Sequence, residues 1–334
     1  MTWENSFLNW FARQGIPTSE RSATLGTLQY FQFTSAFEGT HGKRMHAFGC
    51  SPVRETAAVK CAAEAIERKF MDEFYQSPGT HAPDSSIEMA PYPSRSLKTE
   101  NLSIPPKGMQ TSNGWAVHSS RDRASSAASL EAMERHLLIK SFYRWGWQGF
   151  RFVQEMQSDE MRLFFLTSRL TSAGHIAGII AAKSPLYPGV AFGYCAGKVD
   201  RVQDTLFWQS ALFEAVSRIQ SLGGRTIEIR EPSNAWLQGE AKYYLETPFD
   251  LELLQQGAGQ AQEEEGTPSC VVNTFDLARS WKLDFPLAAA FCWGGNLIPL
   301  CNQALLDETG RKYFESTLLA NDLPPNVPAR HPIL

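Results

Sequence analysis

Several common signatures are missing from this chain, and each absence removes a class of function. It has no run of about 18 apolar residues, the length a helix needs to cross a bilayer, so no membrane partner is expected. Its first residues, MTWENSFLNWFARQG, have neither the basic start nor the apolar core of a signal peptide. Charge of one sign is not in excess: 31 Lys and Arg stand against 35 Asp and Glu, a formal net charge of -4. Nucleic acid, which asks for a basic surface, is therefore not an expected partner. The six cysteines, Cys50, Cys61, Cys195, Cys270, Cys292 and Cys301, are scattered with no CxxC, and the seven histidines form no HxxxH pair. That removes a zinc site and leaves buried free thiols in a reducing cytoplasm as the expectation. There is no GxxxxGK[ST]; Gly39 to Lys43 has Gly and Lys at the wrong spacing. No GxGxxG follows a strand, and no GxSxG occurs. A bound nucleotide would have to be gripped by side chains and a divalent cation rather than by a glycine cradle.

What is present is ordinary globular composition, with 43% hydrophobic and 20% charged residues over 334 positions, enough for a large core or two. The segment up to about Leu28 reads as amphipathic and peripheral. Strands are expected at Leu28–Phe37, Met45–Cys50, His175–Ala182, Val190–Cys195, Cys270–Phe275 and Leu287–Trp293. Helices are expected at Thr56–Phe70, Asp122–Trp145, Asp204–Ser221 and Gln303–Leu319, with Pro52 suited to a helix's first turn. This is a mixed α/β (α+β) pattern. Ser77–Ser86 and Pro91–Ser96 read as loops, and Ser112-Asn113-Gly114 as a turn. Gln255 to Thr267 is a low-complexity surface stretch, and the residues from Leu323 form an extended proline-rich tail.

The strongest positive feature is a block that occurs twice. Ala57 is followed seven positions on by Glu64-Ala-Ile-Glu67-Arg68, and Ala124 at the same spacing by Glu131-Ala-Met-Glu134-Arg135. Glutamates three apart share a helix face. Two such helices facing one pocket offer four carboxylates and two guanidinium groups, which repel unless a cation holds them. Magnesium carried on a nucleotide phosphate is the simplest answer. A weaker third copy stands at Glu214-Ala-Val-Ser217-Arg218, so a helix–sheet unit is used more than once. The competing reading is plain surface ion pairing along solvated helices.

Taken in order, Gly49 to Arg68, Ser112-Asn113-Gly114-Trp-Ala116-Val, and then Glu131 to Arg135 resemble the YcaO-domain family. The resemblance implies a YcaO-like fold, with mixed β-sheets and repeated helix–sheet units around an ATP site. It implies a catalytic domain over 37–321, an N-terminal extension over 1–36 and a C-terminal tail over 322–334. It implies ATP- and magnesium-dependent activation of a peptide amide, in which a Cys, Ser or Thr side chain closes a thiazoline or oxazoline ring. By position, Glu64, Glu67, Glu131 and Glu134 would hold magnesium, with Arg68, Ser119 and Arg135 at the nucleotide. The tail Pro328-Ala-Arg-His331-Pro332-Ile-Leu334 is similar to the proline-rich end of azoline-forming members, which makes His331, Pro332 and Leu334 the catalytic candidates. The implied partners are a precursor peptide, a leader-binding protein of the ubiquitin-activating-enzyme-like kind, a flavin dehydrogenase as a further candidate, and a second copy in a homodimer. The chain departs from the family at His118-Ser119-Ser120, where Gly-Asn-Thr is common, at Arg123, where an acid is common, and at Lys60, where some members have Ser. Thioamide or amidine formation on the same fold, and a non-catalytic scaffold subunit, remain the alternatives.

Overall fold

The computed structural model describes residues 2–25, 28–39, 44–77, 83–89, 105–106, 109–157, 161–185, 187–222, 260–263, 270–298 and 306–324. They divide into two compact units. The first comprises Met1–Ala132 and Pro268–Thr317; the second comprises Met133–Thr267 and Leu318–Leu334.

In the first unit, α1 (Trp3–Ala12) is followed by an antiparallel sheet of β1 (Thr18–Leu25), β2 (Leu28–Glu38) and β3 (Arg44–Ser51). α2 (Arg54–Gln76) comes next. A second antiparallel sheet has the order β4-β11-β12-β5, from Ser85–Met89, Cys270–Asp276, Ala288–Trp293 and Trp115–His118. α2 lies on the first sheet because both sides of the contact are small. A Cβ added to Gly49 on β3 would overlap the Ala57 carbonyl oxygen, and Ala57, Cys61 and Ala65 stack at helical spacing on the buried face. The core around α2 is aromatic: Phe70 and Phe74 meet Trp115 and Phe275 edge-on, and Trp115 stacks on Phe291 at 4.4 Å. The early part of α3 (Arg121–Trp145) presents Ala124, Ala128 and Ala132 to Ala116, Ala288 and Ala290 of the second sheet. The alanine-rich sequence thus has a packing reason, close approach of helix to sheet. The short α5 (Leu277–Ser280) and most of α6 (Glu308–Ala320) complete this unit.

The second unit takes the rest of α3, then β6 (Phe150–Gln157), β7 (Arg162–Ser172), β8 (His175–Ser184) and β9 (Tyr187–Lys198), and then α4 (Thr205–Leu222). β6 to β9 pair antiparallel, and the two-residue β10 (Gln262–Glu263) adds to β7 in parallel, which makes this sheet mixed. Its core joins Leu137 and Leu138 of α3 to Phe164, Ile179 and Phe192. Here too helix and strand touch through a glycine: a Cβ on Gly193 of β9 would overlap the Ala211 carbonyl oxygen of α4. One local design, strand glycine against helix alanine, is used in both units.

The mixed α+β class expected from the sequence is the class observed. The segment before Leu28 is not peripheral, because Phe7 is 0% exposed and Phe11 6%, both inside the main cluster. Ser85 and Ser86, read as loop, open β4. Pro52 stands outside α2, ahead of Val53, the residue that caps it. α6 begins at Glu308, later than the expected Gln303, and 299–305 lie outside the described residues. The low-complexity stretch also lies outside them, apart from 260–263.

Candidate functional site

α2 positions the first block. Its helix-favouring Ala, Glu, Lys and Arg content carries 23 residues without a Gly or Pro. The buried stripe through Ile66 and Phe70 fixes which face remains for the charged residues. Glu64 is held at both oxygens: Oε2 accepts the Phe48 backbone N–H of β3 at 2.9 Å, and Oε1 accepts from Arg68 Nη2 at 2.5 Å. Glu67 is half-buried, and its pKa stands well above 4.5. Burial is the main cause; the carboxylates of Glu131 and Glu64 add to it, and Arg68 opposes it. Within the first unit, then, Glu131 of α3 acts electrostatically on Glu67 and Arg68 of α2. Lys60 does not pair with Glu64; its Nζ reaches the Cys50 carbonyl at 3.5 Å.

A second group lies in the second unit. Glu134, 8% exposed, has its pKa pushed up to about 7 by burial, lowered by Arg135 and raised by Glu214. Arg135 Nη1 is 3.3 Å from Glu134 Oε1. Glu214 of α4 repeats the arrangement of Glu64: Oε2 accepts the Tyr194 N–H of β9 at 2.9 Å, and Oε1 is 2.8 Å from Arg218 Nη2. The weak third copy is therefore a structural counterpart of the first, with the same carboxylate between strand amide and arginine. Sequence reasoning did not single out Glu214, Arg218 or Tyr194 as site residues. The Glu-Arg spacing of four was the available signal; nothing marked the tyrosine.

Ser119 stands at the other end of α3. Its Oγ is 3.0 Å from His118 Nδ1, and the neighbouring Ser120 caps the helix by accepting from Arg123 N at 3.3 Å. Twelve residues separate Ser119 from Glu131, about 18 Å along a helix axis. Arg123 is exposed. His331, Pro332 and Leu334 lie outside the described residues.

Among the described residues no three His, Cys, Asp or Glu side chains form a ready cage for a metal ion. The crowded carboxylates of half-buried Glu67 and buried Glu134 are the groups a cation would relieve. Glu67 with Glu131, and Glu134 with Arg135, are therefore the groups suited to a magnesium–phosphate ligand. The five described cysteines are free and buried. Cys195 sits near Glu134 and Glu214, but burial, first, and those two carboxylates hold its thiol well above 9, which makes it inert.

No protein-family model matches the chain, and no curated protein matches its sequence. Solved structures do match in shape. YcaO from Methanopyrus kandleri bound with AMPPCP and Mg2+ is similar with a TM-score of 0.52 at 13% identity, over 88% of this chain and 91% of that one. A heterocyclase in complex with substrate and cofactor is similar with a TM-score of 0.54 at 12% identity, over 89% of this chain. The match covers 52% of that heterocyclase, so this chain spans about half its length. No helix among the described residues is long and apolar enough to cross a membrane. The sheet order, the paired helix–strand units and these likenesses together give this chain the YcaO fold.

Proposed function

We propose that this chain is a YcaO-family enzyme that uses ATP and magnesium to form azoline rings in a ribosomally made precursor peptide. The observation that carries the reading is the electrostatic influence of Glu131 on α3 upon Glu67 and Arg68 on α2. Such a cluster of acids is suited to a divalent cation and, through it, to a nucleotide triphosphate. In this reading Glu64, Glu67, Glu131 and Glu134 hold magnesium, and Arg135, with Arg68, meets phosphate oxygens; Ser119, about 18 Å from Glu131 along the helix axis, stands too far away to share that contact. Glu64 has a second task, because its two oxygens also fix Arg68 to β3.

The chemistry follows from the weakness of an amide oxygen as a leaving group. The substrate's Cys, Ser or Thr side chain adds to the preceding carbonyl carbon. The side chain gives up its proton on addition, and the oxygen so formed takes the γ-phosphoryl group of ATP, leaving ADP. Its C–O bond then breaks to release inorganic phosphate, as the amide nitrogen loses its proton and forms the ring's C=N bond. Magnesium, when bound, neutralises the charge on the transferring phosphoryl group. Arg135 and Arg68 supply fixed N–H donors for the same charge without reorganising. Glu64, Glu67 and Glu131 set where the cation can sit, and the tail residues His331, Pro332 and Leu334 act at the ring-forming end. A separate leader-binding protein presents the precursor, and a flavin dehydrogenase can oxidise the finished ring.

The test incubates the full chain with ATP, magnesium, the precursor and the leader-binding protein, and follows mass. Loss of one water per modified residue, matched by one ADP and one phosphate, is expected. ATP consumption with sulfur or nitrogen gained in the peptide would move the reading to thioamide or amidine formation. No nucleotide binding at all would leave a scaffold subunit.

A further inference from the structure

In the second unit one aromatic ring lies under two cations. Tyr194 stands on β9 and is 4% exposed. The Arg135 guanidinium carbon is 4.7 Å from the ring centroid, and that of Arg218 is 5.4 Å from it. Two cations sharing one ring repel each other. Glu134 and Glu214 offset part of that repulsion at 3.3 and 2.8 Å, and the electron-rich ring face supplies a further attraction to both. Each arginine is therefore held from two directions, by a carboxylate and by the same ring. A guanidinium has five N–H donors, more than one carboxylate contact uses. Those donors are what phosphate oxygens accept from, often two at a time. The tyrosine is itself anchored, because its backbone N–H donates to Glu214 Oε2 at 2.9 Å. Strand, ring, carboxylates and arginines thus form one connected assembly.

We propose that Tyr194 is a positioning residue that holds the Arg135 and Arg218 guanidinium groups with their edges oriented for the triphosphate of a bound nucleotide. The proposal rests on the nucleotide reading given above and assigns Arg218 to the same task as Arg135. Tyr194 acts through the arginines and needs no contact of its own with phosphate. Its hydroxyl is dispensable and its π face is not.

The test measures the dissociation constant of the magnesium complex of a non-hydrolysable ATP analogue by calorimetry on the full chain. Tyr194→Phe should bind within about twofold of wild type, and Tyr194→Leu about tenfold more weakly. Should the leucine variant fail to fold, phenylalanines carrying one to four ring fluorines at position 194 keep the shape while weakening the ring's attraction for cations. Affinity should then fall stepwise with fluorine number, a trend that packing alone does not produce. In an Arg135→Ala, Arg218→Ala background the same ladder should be flat. A flat ladder in the otherwise native chain, or an equally steep one without the arginines, overturns the proposal while leaving the nucleotide reading intact. Absence of analogue binding by the wild-type chain overturns both.

Discussion

Glu134→Gln tests whether the buried carboxylate costs what its surroundings imply. Burial, more than any other cause, raises the pKa of Glu134 from 4.5 to about 7, and Glu214 adds to the rise. The folded protein therefore binds this proton more tightly than the unfolded chain does. The stability it contributes is complete below 4.5, drains away as pH rises, and is gone above about 7. Each pKa unit is about 1.4 kcal/mol, so the separation between 4.5 and about 7 amounts to about 3 kcal/mol. Glutamine keeps the shape and removes the charge. In denaturant titrations without ligand, the variant should exceed wild type by about 3 kcal/mol at pH 8 and by less than about 1 kcal/mol at pH 5. Saturating nucleotide and magnesium should shrink that advantage at pH 8, to near zero if the variant binds no ligand. At a hundred times its dissociation constant a ligand adds about 2.7 kcal/mol to the wild type, and the variant should gain less. An advantage for the variant that does not change with pH, or a loss of stability at pH 8, would refute the reasoning.

Three further outcomes follow from the same geometry. Gly49→Ala drives a Cβ into the Ala57 carbonyl and should cost about 3 kcal/mol in denaturant unfolding, and Gly193→Ala, facing Ala211, should cost a similar amount; a cost under about 0.5 kcal/mol would contradict the close approach of strand and helix. Because Cys50, Cys61, Cys195, Cys270 and Cys292 are buried, Ellman's reagent at pH 8 should find no more than one fast thiol per native chain, and several would mean that these residues open readily. Deleting 331–334 should abolish ring formation and leave nucleotide affinity unchanged; ring formation that survives the deletion would remove the tail from the catalytic account.

The strands and helices that could be read from the sequence were those with strong local patterning. α2, α3 and α4 matched within a few residues, except at the longer C-terminal end of α2, because alanine, glutamate and arginine favour helix and their small faces recur at helical spacing. β1 was missed because TSERSATL is polar on both faces, and its strand character comes from the β2 partner rather than from burial. β6 ends in four exposed residues, and β7 is broken in register opposite β8, so neither alternates cleanly. The paired blocks of the candidate site were legible because five identities repeat in one register. The clamp made by Glu64 on Phe48 was not, since a carboxylate that accepts from a neighbouring strand's amide leaves no trace in its own helix. Tyr194 was invisible for a similar reason. It reads as one more apolar strand residue until the arginines of two different helices are seen to share its ring.

The central claim, that acidic residues from α2 and α3 tether a nucleotide through magnesium, is tested most directly by calorimetric titration of ATP into the wild-type chain, Glu67→Gln and Glu131→Gln, each with and without magnesium. The account predicts magnesium-dependent binding by the wild type and affinity lowered at least about tenfold in each variant. Binding that needs no magnesium, or that both substitutions leave untouched, would contradict it.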